Sequence, residues 1–267
     1  MSDAAVNRTA QPFVLPHHPV RDALTGSVAS IAFTFIVVIA VGLIWIGPKF
    51  ISFGNVSIMG TFLIVPLIVG GFAGFALLAG VVDLSIGSIV GISAAIFATL
   101  ISHQWGVLPA AGITLAVCLG IGGLNALAIV RFGADPIAAT LGMLTALRGI
   151  TWVLCGNQRM IPAFDINYFT LINLQVLGLP LFFLLAILLT LIAAGVVAKT
   201  RLGRHVQAVG GDDRAAARAG ISVQRVRTAA LLLSAFAVAS AGWSMWANSA
   251  ALPGPPASAL NFRSMPP

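Results

Sequence analysis

Lys199–Arg227 reads KTRLGRHVQAVGGDDRAAARAGISVQRVR, between two apolar runs, Leu171–Ala198 before it and Thr228–Ala247 after it. Half of the chain's 14 Lys and Arg residues fall in this one stretch, so the segment must sit in water or against anions while its flanks avoid both. Its local chemistry is readable. Gly210-Gly211 breaks the chain, Asp212 suits a helix N-cap, and Gly220 suits the left-handed residue that ends a helix. A short helix over about Asp213 to Ala219 is predicted. Ala215, Ala216 and Ala219 give it a small-residue face that fits a shallow groove, and Arg214 and Arg218, one turn apart, can meet acidic groups. Two readings stand: a docking element that takes up force from a soluble partner, or a solvated basic loop that fixes topology or touches anionic lipid.

The flanks decide the fold class. Hydrophobic residues make up 59% of the 267 and charged residues 8%, with a mean hydropathy of +1.03. That is too little polar surface to cover a water-soluble globule. The formal net charge of +7 would suggest nucleic acid in a soluble protein, but here the basic residues collect in short breaks between apolar runs. That pattern fits the positive-inside rule and no nucleic-acid partner.

Glu is absent and the seven acidic residues are scattered aspartates, which excludes paired-carboxylate hydrolysis. The sequence holds no G-x-x-x-x-G-K-S/T phosphate loop, no H-E-x-x-H and no G-x-S-x-G. No catalytic residue, metal or cofactor is expected, so energy for any pumping must come from elsewhere. Cys118 and Cys155, far apart in apolar runs, read as two packed, reduced thiols.

About twenty helical residues cross a hydrocarbon core of ~30 Å. This criterion predicts an all-α, polytopic membrane protein with about seven spans: Ser27–Gly47, Val56–Ala79, Leu84–Ile101, Val107–Val130, Ile137–Leu154, Leu171–Ala198 and Thr228–Ala247. Residues 1–26 form a polar tail, 27–249 the transmembrane domain with its 199–227 loop, and 250–267 an irregular tail. GNQRMIPAFDINY, from Gly156, reads as an external loop, with room for a short surface helix before the sixth span. A cytoplasmic N-terminus puts Arg8, Arg21, Arg131 and the 199–227 loop inside, leaving Lys49, Arg159 and Arg263 outside. Trp45, Trp105 and Trp152, near span ends, suit the headgroup boundary.

Several polar residues interrupt the apolar runs. Asp83, in VVDLSIGS, either caps the third span together with Ser85 or marks a broken helix beside a translocation path. Arg148 lies about twelve residues into the fifth span, where a lipid-facing guanidinium would cost several kcal/mol. It should therefore face protein or a water-filled cavity, paired with Asp83 or a backbone carbonyl, or else contact the solute. Asn125 suits a hydrogen bond across helices better than a ligand contact.

Four blocks, AGVVDLSIGSIVGISA, GGLNALAIVRFGADPIAATLGMLTALRGITWVL, TRLGRHVQAVGGDDRAAARAGI and the apolar span after them, occur in an order that resembles the permease subunit of bacterial ATP-binding-cassette importers of the ribose, xylose and related monosaccharide group. The likeness runs from about Phe50 to Phe262. It implies a bacterial inner-membrane subunit that forms the pathway for a ribose-type monosaccharide and pairs with a second permease subunit, identical or homologous. It further implies two cytoplasmic ATPase subunits and a periplasmic or lipid-anchored sugar-binding protein as partners. The segment matching Gly210–Ile221 would be the coupling helix seated on an ATPase subunit. Asp83, Leu84, Ser85 and Gly87 match the family's acidic-Leu-Ser block, Asn125 its Gly-Leu-Asn, and Thr140, Leu141, Gly142 and Arg148 its Thr-Leu-Gly…Arg block. Family members continue past the position of Phe262 with an acidic residue and about three further spans, so a C-terminal truncation or a shifted reading frame is expected at the Arg-Ser-Met-Pro-Pro ending. The competing expectations are an ion-coupled secondary transporter, which should carry more intramembrane carboxylates, and a transport-inactive membrane fragment or scaffold.

Overall fold

A computed structural model describes residues 27–156 and 174–251. Residues up to Asn55 and those from Val56 onward form two compact units. In the first, α1 (Ser27–Ile46) gives way to a 3-10 turn, Gly47–Ile51, and the Phe50 ring folds back over Gly42, where any side chain would collide with it. The first expected span is therefore present to within a residue.

Among the described residues eight further helices follow: α2 (Phe53–Leu78), α3 (Ile86–Ser102), α4 (Val107–Ala126), α5 (Pro136–Leu154), α6 (Leu181–Lys199), α7 (Arg201–Gly211), α8 (Asp213–Arg218) and α9 (Val223–Ala251). A π-turn, Leu127–Arg131, prolongs α4. Among the described residues six helices are long and apolar enough to cross a membrane, and α3 is a shorter apolar helix. The chain is an all-α, multi-pass membrane protein. At 17 residues, α3 spans only about 26 Å, short of a ~30 Å hydrocarbon core. Residues 81–85 before it are non-helical. Open backbone of this kind survives near a membrane only where protein or water satisfies its polar groups, and here Val81 N donates to the Ala76 carbonyl and Ser85 N to Asp83 Oδ1.

α3 forms the centre. α9 packs on both α3 and α4, and α5 packs on α3. Because lipid supplies no hydrophobic drive between helices, close approach must come from small residues. The backbone at Gly242 meets Ser93 and the Val90 carbonyl, and Gly122 meets Ala235. Ser93 Oγ donates to the Ala239 carbonyl at 2.7 Å. α6 is held against α2 in the same way, with Gly60 under the Phe183 ring, Gly71 on Thr190, and Thr190 Oγ1 donating to Leu67 O at 3.0 Å.

Several boundaries differ from expectation, the second span starting at Phe53 rather than Val56. The third span begins at Ile86 rather than Leu84, because Asp83 and Ser85 tie the preceding backbone into a local turn. The sixth begins at Leu181 rather than Leu171. There Leu177 (φ 53°) and Gly178 (φ 73°) make the tight turn of a small hairpin, β1 (Gln175–Val176) with β2 (Leu179–Pro180), and Pro180 stands at the helix N-cap. The last helix is longer than Thr228–Ala247 at both ends. The short surface helix expected before the sixth span falls mainly in 157–173, and both terminal tails also fall largely or wholly outside the described residues.

Candidate functional site

The basic segment folds as two helices separated by a break at Asp212, whose backbone is extended. In α7 the Thr200 hydroxyl caps the first turn, accepting from Gly203 N at 3.2 Å. Gly203, Val206 and Val209 turn inward while Arg201, Arg204 and His205 stay exposed. Gly203 lies against the Val197 carbonyl, leaving no room for a β-carbon. After Gly210-Gly211 the Asp212 carboxylate accepts from the amides of Arg214 (2.9 Å) and Ala215 (3.0 Å) and starts α8. Gly220, at φ 81°, closes the turn after it. Within α8 the expected alanine face is divided. Ala215 and Ala219 are exposed with Arg214 and Arg218, whereas Ala216 packs into the chain's own core at 4% exposure. Ala215 and Ala216 are about 100° apart around the helix, and the way α8 is seated buries the second and exposes the first. Ala216 therefore anchors α8, and Ala215 faces outward.

This segment is joined to the link between α2 and α3. The Gly210 backbone lies on the Leu78 carbonyl, where a side chain would clash. Arg227, at the start of α9, donates through Nε to the Ala79 carbonyl at 3.3 Å and through Nη2 to Asp213 Oδ2 at 3.5 Å. Gly80, at φ 74°, turns the chain beneath it. Arg131 lines a cavity together with Gln224 and Arg225. The breaks after α2 and α4 and the whole 199–227 stretch thus lie at one end of the helix bundle.

A few residues along the same link, three of the singled-out polar residues come together. Asp83 Oδ1 accepts from Ser85 N (2.9 Å) and Ser85 Oγ (2.6 Å), and Asn125 Nδ2 of α4 donates to Ser85 Oγ at 2.8 Å. Ser85 and Asn125 are 0% and 2% exposed, and Asp83 is half-buried. Asn125 makes the interhelical bond expected of it, whereas neither Asp83 nor Ser85 caps α3 with its side chain; Asp83 bonds Ser85 instead. It pins the non-helical 81–85 stretch to α4.

Arg148 and Thr140 lie elsewhere. Thr140 is buried and donates to Pro136 O within α5 at 2.7 Å. Arg148 does not pair with Asp83: among the described residues it has no ion pair or hydrogen bond. Ser88 Oγ donates to Leu144 O at 3.1 Å, which fixes α5 on α3, and Arg148 stands one turn beyond Leu144. There it borders a cavity of about 340 Å³ lined by Gly87, Ser88, Gly91, Arg148, Thr151, Trp152 and Cys155. Gly87 and Gly91 have open space where side chains would be. Trp152, expected as a boundary anchor, also forms part of this wall.

Residues 54–254 match a family described as the permease component of branched-chain amino acid transport systems. The chain belongs to this permease family. Among curated proteins it is similar to the ribose import permease of Haemophilus influenzae, 27% identical over 74% of this chain and 62% of the relative. The ribose import permease of Bacillus subtilis is 34% identical over 78% of this chain and 64% of the relative. The D-allose transport system permease of Escherichia coli is 30% identical over 56% and 46%. The chain thus spans less than two thirds of each of these relatives. No solved structure matches it.

Sequence reasoning missed Arg227 and Gly203. Arg227 read only as the last charge before a span, although its place at a helix start facing the α2–α3 break carries the joint. Gly203 had no signal beyond a glycine inside an amphipathic helix.

Proposed function

We propose that this permease is a pathway-forming subunit of an ATP-driven importer of a monosaccharide, and that α8 is the helix through which cytoplasmic ATPase subunits act on it. The observation that carries the reading is the arrangement of α8. Its exposed face offers Ala215 between Arg214 and Arg218, and its other side is tied by Asp213 to Arg227 and so to the α2–α3 link. A groove on a soluble partner can receive the outer face, and displacement of α8 then reaches the helix break and the Asp83–Ser85–Asn125 cluster. ATP does work here only if the partners bind one arrangement of the bundle better than another.

The sugar class is carried over from the printed names of the relatives, which include ribose, D-allose and fructose permeases. The partners would be two ATPase subunits, a second permease subunit and a sugar-binding protein outside the membrane. The concentration of Arg131, Lys199 and the 201–227 arginines at one end supports placing that end in the cytoplasm of a bacterial inner membrane, with the N-terminus on the same side. In the cavity on α3 and α5, Arg148, Thr151 and the Trp152 ring supply the charged donor, hydroxyl and apolar face that a sugar uses.

The test is Ala215→Trp in the assembled, reconstituted complex. Uptake and solute-stimulated ATP hydrolysis should fall by about tenfold or more, while thermal stability of the subunit in detergent is unchanged because the site is exposed. Normal uptake by this variant would refute the docking role. Ala216→Trp serves as the contrast, since it should unfold the segment instead.

A further inference from the structure

At the basic end of the bundle a second cavity, about 590 Å³, opens between α4 with its π-turn and the first turns of α9. Two arginines, Arg131 and Arg225, border it together with Gln224 and Thr228. Both arginines are exposed, and among the described residues neither has an ion pair or hydrogen bond. No acidic residue lines the cavity. Asp135, near Arg131 in sequence, is occupied as the cap of α5, accepting from Ala138 N at 2.9 Å. The remaining walls are apolar, and Leu127, Val130 and Leu232 continue them along the helices. The two arginines also stand at the ends of apolar helices, since Val107–Arg131 and Val223–Ser244 are both long and apolar enough to cross a membrane.

We propose that this cavity is a binding site for an anionic phospholipid. Two cations converge at the level where a span leaves the hydrocarbon, with amide and hydroxyl donors beside them, which matches a phosphodiester headgroup. Beneath them the apolar groove between α4 and α9 takes an acyl chain. A soluble phosphate would use the donors and leave that groove empty, so the occupant is a lipid. Leu127, Val130 and Arg131 of the π-turn all line the cavity. The site is separate from α8 and from the cavity at Arg148, so it stands whether or not the transport reading holds.

The experiment is native mass spectrometry of the full chain in neutral detergent, with phosphatidylglycerol and phosphatidylcholine offered together at equal concentration. Preferential retention of phosphatidylglycerol is expected. Arg131→Gln and Arg225→Gln should each reduce that preference about fivefold, and a photoactivatable phosphatidylglycerol should label peptides of α4 and α9. Equal retention of both lipids by the unaltered chain would overturn the proposal without recourse to any variant. So would labelling confined to other helices, unchanged preference in the doubly substituted chain, or displacement of bound lipid by an equal concentration of inorganic phosphate.

Discussion

Arg227 Nη2 lies 3.5 Å from Asp213 Oδ2 while its Nε bonds the Ala79 carbonyl at 3.3 Å, so one guanidinium spans α8, α9 and the end of α2. The side chains are 28% and 49% exposed, and an ion pair this wet contributes little to stability, well under about 1 kcal/mol. Its value is geometric. Arg227→Gln should leave the melting temperature within a degree or two, while coupled uptake in the reconstituted complex falls by about fivefold or more. Asp213→Asn should fall less, because the bond to Ala79 remains. A melting temperature that drops with uptake would make Arg227 structural only.

Gly210 and Gly211 are adjacent and differ in what surrounds them. A β-carbon at Gly210 would run into the Leu78 carbonyl and backbone, whereas one at Gly211 meets nothing. Backbone cannot swing aside as a flexible side chain does. Gly210→Ala should cost about 1–3 kcal/mol, read as a lowered midpoint in thermal denaturation of the purified subunit. Gly211→Ala should stay within about 0.5 kcal/mol of the parent. Equal effects at the two positions would mean that α7 does not seat on α2 as described.

The hydrogen-bond chain Asp83–Ser85–Asn125 joins the non-helical link to α4 with two of its three members buried. Ser85→Ala removes both a donor to Asp83 and the acceptor of the Asn125 amide, and stranding a buried polar group costs about 1–3 kcal/mol. A double-mutant cycle with Asn125→Ala should show a coupling energy near 0.5–1.5 kcal/mol, the range for interhelical bonds in membranes. Additive single effects would place the two residues out of contact.

How far this architecture was legible depends on range. Periodic apolar length located every described span, and the capping chemistry of Asp212 and Gly220 located α8 to within a residue, because both signals are local. Asp83 was readable only as a choice between a cap and a break, since what replaces the cap is a bond to Ser85, and Ser85 is held by Asn125, forty residues further along the chain. Ala216 was misassigned to the outer face because a six-residue helix leaves its rotation to tertiary contacts. Arg227 carries no local mark at all. Its partners, Ala79 and Asp213, are set by how α2, α8 and α9 pack, and no spacing in the sequence records that.

Arg148 is the residue on which the proposed solute path can be tested. A guanidinium this far inside a span needs water, a partner or a ligand, and among the described residues it has neither an ion pair nor a hydrogen bond. It borders the cavity with Thr151 and Trp152, across from Gly87 and Gly91, where no side chain fills the space. If Arg148 holds solute, Arg148→Gln should leave the melting temperature of the subunit unchanged and reduce uptake by about 5–50-fold, as expected when a charged hydrogen bond of 1–2 kcal/mol or more is lost. Gly91→Leu, which fills the cavity from the opposite wall, should also block uptake while sparing solute-independent ATP hydrolysis. Uptake that survives both changes would remove this cavity from the pathway, and the exposed face of α5 around Arg148 would then have to be explained by a protein neighbour.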